Sequence, residues 1–333
     1  MLILGIETSC DETSASIVKN GKTIISNIIT SQDEIHAPFG GIVPELASRE
    51  QLESIGWVVR EALDKANIPL KKIDAIAVTY GPGLAGSLLI GVEFAKTLSY
   101  SLSIPLIGVN HIEAHLYANF LEDSKIKFPY IGLVISGGHT SLFYVKDFLT
   151  YSFLGQTRDD ACGEAFDKGA QILKLGYPGG PVIDRISKKG NPSAIKFPRA
   201  KMKNPFDFSF SGLKTSLLRY VEKRGEITKK ELPDIAASFQ EAIADALVKK
   251  TILAAEYKKT NTIIIGGGVA ANSRIRFKMQ QEANKNNLKV YFPNQLKLCT
   301  DNAAMIAGLG YQMFKKGMVS SLGLDAQPNL III

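Results

Sequence analysis

The feature that most constrains this chain is that it repeats itself. When residues 5–23 are laid on 132–150, an offset of 127, Gly5, Ser9, Thr13, Ser14, Val18, Lys19 and Thr23 meet Gly132, Ser136, Thr140, Ser141, Val145, Lys146 and Thr150. Seven identities in nineteen positions carry little alone, but the order of the elements repeats as well. A strand (Leu2–Glu7; Tyr130–Ile135) enters a small polar turn (Thr8–Glu12; Ser136–His139), and a second strand follows (Thr13–Val18; Thr140–Val145). Asn20-Gly21 marks a tight turn into a third strand. Amphipathic helical stretches come next, about 47–65 and 160–175. Each copy then offers a strand with a glycine-rich exit: Asp74–Tyr80 before Gly81-Pro82-Gly83, and Thr262–Ile265 before Gly266-Gly267-Gly268.

A duplicated three-strand meander with helices resembles the construction of the actin–hexokinase–sugar kinase (ASKHA) superfamily. That resemblance implies an α/β fold of two RNase H-like lobes around a central nucleotide cleft. Both polar turns would point into the cleft, where glycine lets backbone N–H groups approach phosphates closely. It also implies a lobe one of 1–108, completed by residues 303–333 with a helix at about 303–326, and a lobe two of 109–302. The 333 residues suit two domains.

Composition excludes several classes. No run reaches the ~18 apolar residues that a membrane span needs, and the acidic start MLILGIETSCDE lacks the basic region of a secretory signal. Cys10, Cys162 and Cys299 are odd in number, far apart and outside any CxxC pattern. The expected compartment is therefore a reducing cytoplasm. Net charge is +7, but residues 185–230 alone carry 13 Lys or Arg against Asp207, Glu222 and Glu226, a local +10. Such a block either attracts a polyanion or is a solvated lysine-rich face.

Two of the four histidines, His111 and His115, are spaced i, i+4 and fall on one face of a helix, within reach of one metal ion. The metalloprotease form HExxH needs a Glu directly after the first His, where this chain has Ile112; Glu113 sits one place later and faces elsewhere. Asp301 opens an apolar helical run, as an N-cap or as a third ligand. Asp11 and Glu12 lie in the first polar turn, where carboxylates suit a cation or proton transfer. The equivalent turn, Ser136-Gly137-Gly138-His139, lacks acids and suits an anion. Gly81-Pro82-Gly83-Leu84-Ala85-Gly86 fits GxGxxG formally, but it contains Pro and no acid ends the strand Ile104–Val109, so it reads as tight packing. Gly266-Gly267-Gly268 and Asn272 would let a base or ribose lie against backbone.

Ten segments, LGIETSCDET, GGIVPELASR, GPGLAGSLLIG, HIEAH, SGGHTSL, DDACGEAFDKGA, YPGGP, FSFSGLKT, GGGVAANSRIR and CTDNAAMIAGLG, resemble the universal tRNA threonylcarbamoyladenosine transferases, of the bacterial TsaD type. The resemblance implies transfer of threonylcarbamoyl from threonylcarbamoyl-AMP to N6 of the adenosine 3′ of the anticodon in ANN-decoding tRNAs. It implies one divalent ion, iron or zinc, on His111, His115 and Asp301. It assigns the phosphate and adenylate loop to Val134, Ile135, Ser136, Gly137 and Gly138, further nucleotide contacts to Asp167, Gly180, Asp184 and Asn272, and catalysis to Asp11 and Glu12. It implies tRNA, an inactive paralogue TsaB and an ATPase TsaE as partners, with the +10 block holding tRNA backbone. Two departures stand out: Gln51, where His is frequent, which weakens a ligand role there, and Cys162, where Ala is usual. A metallopeptidase, a small-molecule kinase of the same superfamily and a non-catalytic scaffold are the competing readings.

Overall fold

The computed structural model describes residues 1–123 and 125–332. Ten strands run in chain order: β1 (Leu2–Glu7), β2 (Thr13–Lys19), β3 (Thr23–Thr30), β4 (Ala75–Gly81), β5 (Leu106–Asn110), β6 (Tyr130–Ile135), β7 (Thr140–Asp147), β8 (Thr150–Gln156), β9 (Thr262–Gly266) and β10 (Lys289–Tyr291). The helices are α1 (Asp33–His36), α2 (Pro44–Ala66), α3 (Ala85–Leu102), α4 (His111–Tyr117), α5 (Cys162–Ile172), α6 (Gly179–Ser187), α7 (Ser211–Arg224), α8 (Leu232–Lys258), α9 (Ser273–Lys285) and α10 (Ala303–Lys315).

The strands form two five-stranded sheets, ordered β3-β2-β1-β4-β5 and β10-β9-β6-β7-β8. In each, a meander of three antiparallel strands is joined by two parallel strands on the other side of its first strand. The repeat survives in the register. Glu7 faces Ser14 across β1 and β2, and Val134 faces Ser141 across β6 and β7.

In the first unit, β1 is apolar up to its last residue, Glu7, because both faces of the sheet are covered. Leu4 and Ile6 share a core with Ile55, Val58 and Val59 of α2 and Val92 of α3. Each such fully buried side chain contributes about 1.5–3 kcal/mol. Gly5 points the other way, and a Cβ there would stand 2.2 Å from Ala303 O of α10. Glycine at this position is what lets α10 lie directly on β1. In the second unit, Ile131, Leu133 and Ile135 of β6 pack against Phe166 of α5 and Phe239 and Ile243 of α8.

Compactness divides the chain into Met1–His36, Ile42–Ile126 and Pro293–Ile333 on one side, and Ala37–Gly41 and Lys127–Phe292 on the other. This differs from a division at 108/109 and 302/303 and moves His111, His115 and Asp301 into the first unit. The cause is local. α4 starts on the residue after edge strand β5 and packs on α10, with Gly308 of α10 closed against the Tyr117 ring. The C-terminal helix is also shorter than expected. It stops at Lys315, before Gly317 at φ +75°. The chain then returns along the sheet, where Ser320 N donates to Leu106 O and Gln327 N to Tyr80 O. Among the described residues no helix is long and apolar enough to cross a membrane.

Candidate functional site

β5 ends in Asn110, whose Oδ1 accepts from Ile112 N at 2.9 Å and Glu113 N at 3.3 Å. This cap turns strand into helix at once and sets His111 and His115 one turn apart on one face. Their Nε2 atoms stand 3.1 Å apart. Asp301 comes from the start of α10, yet capping falls to its neighbour: Asn302 Oδ1 accepts from Met305 N, and Ala303 N donates to Ser14 Oγ. Asp301 is thereby released to the histidines, with Oδ1 at 3.1 Å from His115 Nε2 and 3.6 Å from His111 Nε2. One ligand atom from each residue lies within 4.8 Å of the others. Two imidazole nitrogens and one carboxylate oxygen converge, a donor set that iron(II) and zinc both accept while leaving positions open for substrate. The residues fit a divalent ion.

Glu7, which sequence reasoning missed, orients this centre. It is wholly buried. Its Oε2 lies 3.0 Å from His111 Nδ1 and accepts from Thr79 Oγ1 at 2.7 Å, and its Oε1 accepts from Ser9 N at 2.6 Å. Ser9 Oγ lies at the same 3.0 Å from His111 Nδ1; with Nδ1–H held between this hydroxyl and the Glu7 carboxylate, Nε2 presents its lone pair to the centre. The one available signal was a lone acid closing an apolar strand. Burial pulls the His111 pKa down, but the charges of Asp301 and Glu7 outweigh it and hold it at about 9. Burial and the neighbouring His111 charge lower that of His115.

The Asp11 and Glu12 carboxyls hydrogen-bond to each other beside Asp301. Burial first, then the Asp301 charge, raises the pKa of Asp11 and pushes that of Glu12 up well above the usual carboxylate range. Burial, together with these acids, also raises the Cys10 thiol, so it is no ready nucleophile. The run from Gly81 to Gly86 supports the turn and shows no dinucleotide role. A Cβ on Gly83 would stand 2.4 Å from Ser9 O, and that carbonyl accepts from Leu84 N at 2.8 Å.

In the second unit the expected nucleotide residues form a closed ring of contacts beyond the C-terminal ends of parallel strands β6 and β9, where α/β sheets bind ligands. Gly163 N and Glu164 N of α5 donate to Ser136 O and Gly137 O. Asp167 of α5 accepts from Gly179 N of α6 at 2.7 Å. Asp184 of α6 accepts from Ser273 N and Oγ at the start of α9. Gly267, at φ +96°, packs on Ile135 O and closes the ring. Gly137, Gly138 and Gly180 have no atom within 4 Å of a Cβ position, so their backbone is open. Three expectations change in kind. Val134 and Ile135 bury their side chains in the core and offer only backbone. Asn272 commits its amide, with Oδ1 capping Arg274 N and Ile275 N and Nδ2 donating to Gln240.

The family model described as TsaD, tRNA N6-adenosine threonylcarbamoyltransferase, matches residues 23–308. A protein of that name from Clostridioides difficile strain 630 is 54% identical over 334 residues, covering 100% of this chain and 98% of its own. Another from Clostridium botulinum strain Kyoto is 54% identical over 331 residues, covering 98% and 97%. Among solved structures, HypF from T. kodakarensis matches with a TM-score of 0.63 at 16% identity over 97% of this chain and 49% of its own. Component A of the Acidaminococcus fermentans (R)-2-hydroxyglutaryl-CoA dehydratase matches at 0.56 and 14%, covering 94% and 98%. At such identities these structures speak for the two-lobed fold alone.

Proposed function

This chain belongs to the tRNA N6-adenosine threonylcarbamoyltransferase family, and from that premise we propose that it transfers threonylcarbamoyl from threonylcarbamoyl-AMP to N6 of the adenosine 3′ of the anticodon in ANN-decoding tRNAs. The observation that carries the reading is the convergence of His111, His115 and Asp301 beside the acid-bearing turn. When bound there, a divalent ion supplies polarisation of the carbamoyl carbonyl.

The chain's own residues supply the rest. Glu7 keeps His111 in the ligating tautomer. The exposed Gly137 and Gly138 amides meet the donor phosphate, since the α5 amides are already spent on the turn. The N6 amine is a poor nucleophile because its lone pair is delocalised into the ring. As its N–C bond to the carbamoyl carbon forms, the C–O bond to phosphate breaks and AMP leaves with the electron pair. The amine proton passes to the Asp11–Glu12 pair, whose pKa, raised by burial and the Asp301 charge, makes it a better proton acceptor than an ordinary carboxylate.

Anticodon-loop bases are read unstacked, and the exposed cations of residues 185–230 would hold the tRNA backbone. TsaB and TsaE act as partners, and the reaction takes place in the cytoplasm. A peptidase reading lacks its base, because Ile112 follows His111 directly.

The test is transfer of labelled threonine into an ANN-decoding tRNA with the purified protein, its partners and threonylcarbamoyl-AMP. Wild type should transfer. His111→Ala/His115→Ala should lose metal and about 10³-fold in rate. No transfer by wild type with metal and donor intact would overturn the reading.

A further inference from the structure

Beneath the acid-bearing turn lies a side chain that the reaction scheme does not use. Gln51, in the third turn of α2, is completely buried. Its Nε2 donates to three backbone carbonyls, Cys10 O and Glu12 O at 3.0 Å and Thr8 O at 3.4 Å. These are alternate residues of one turn, so the backbone from 8 to 12 curls around a single nitrogen. The amide orientation is chemically fixed, because the reversed amide would set its oxygen against three carbonyl oxygens. Its Oε1 is buried with no partner. An orphaned amide oxygen opposes folding, and a leucine of similar volume would avoid it. Packing therefore does not explain Gln51; the three carbonyls do.

We propose that Gln51 is a positioning residue for the transfer: it gathers the Thr8, Cys10 and Glu12 carbonyls and so fixes the place of the Asp11–Glu12 pair beside Asp301. Asp11 is flanked by two of the gathered carbonyls, those of Cys10 and Glu12, and Thr8 carries the third. Among the described residues, no cationic side chain hydrogen-bonds either acid and could hold it instead. The site needs a donor of this reach and rejects an acceptor. This inference rests on the proton-carrying role proposed for Asp11 and Glu12.

The experiment compares wild type with Gln51→Leu, the isosteric Gln51→Glu and Gln51→His, which keeps a ring N–H donor. Asp11→Ala/Glu12→Ala serves as control. Single-turnover transfer, the Michaelis constant for tRNA, metal content and amide hydrogen exchange across residues 8–13 are measured for each. Gln51→Leu and Gln51→Glu should keep their metal and their tRNA Michaelis constant, exchange faster at 8–13, and lose about 10²-fold in rate, the cost of misplacing a catalytic group by about 1 Å. Gln51→His should recover most of the rate. Full activity in Gln51→Leu while the control is dead would overturn the inference and leave the role of the acids standing. Activity in the control as well would overturn that role, and unchanged exchange at 8–13 would then overturn the positioning as well. Should Gln51→Leu not fold, Gln51→Glu carries the same comparison without a change of shape.

Discussion

The two turns of the repeat occupy the same place in two sheets of the same topology, yet one is rich in acids and the other in glycine. At an offset of 127, Glu7 corresponds to Val134, Cys10 to Gly137, Asp11 to Gly138 and Glu12 to His139. In the first turn an amide side chain from α2 gathers the carbonyls, leaving three acids crowded beside two histidines. In the second, backbone N–H groups of α5 hold the turn, leaving exposed glycine backbone. Duplication preserved what the sheet needs, the glycine and small residues at shared positions. It left the turns free to diverge, because a hairpin tip carries few packing constraints. On the proposed reading, one copy serves cation and proton and the other an anion.

That contrast can be broken one position at a time. The largest effect should follow Glu7→Gln, which removes the charge facing His111 Nδ1 and brings the first copy nearer to the neutral Val134. Metal affinity, measured by chelator competition, should fall about 10–100-fold, and unchanged affinity would sever Glu7 from the centre. Next comes a glycine-to-alanine change made once in each copy, at positions that are not equivalents. Gly5→Ala drives a methyl into Ala303 O and should cost about 1–3 kcal/mol in urea unfolding. Gly137→Ala meets nothing within 4 Å; its unfolding midpoint should hold while affinity for AMP drops about tenfold. A destabilised Gly137→Ala would deny that this backbone is open for a ligand.

A last effect, small per pH unit, concerns protons. Below about 9 the metal-free His111 is protonated, and a metal requires it neutral. Metal uptake should therefore release about one proton, and affinity should rise about tenfold per pH unit until it levels above about 9. A flat profile from pH 6 to 9 would contradict the pull of Glu7 and Asp301 on that imidazole.

Much of this was legible in the sequence. The limits of β1 and β6 could be read to the residue, since apolar runs ending in polar turns are local signals, and the grouping of His111, His115 and Asp301 was anticipated by i, i+4 spacing and the family resemblance. What escaped was carried by long-range contacts. Glu7 and His111 lie 104 positions apart, and Gln51 lies 41 from Cys10. The division by compactness groups His111 with the first unit, which sequence could not foresee because a lone strand end does not say which sheet its following helix covers. Asn272 looked like a free hydrogen-bonding group because a cap and a ligand contact share the same residue types.

The central claim is that the first turn does proton chemistry and the second binds nucleotide. Its most direct test is Asp11→Asn/Glu12→Gln, assayed for single-turnover transfer and for AMP affinity in the same preparation. The account predicts that transfer falls about 10²–10⁴-fold, the worth of a positioned proton carrier, while AMP affinity is unchanged. Retained transfer, or a loss explained by weakened AMP binding, would contradict it.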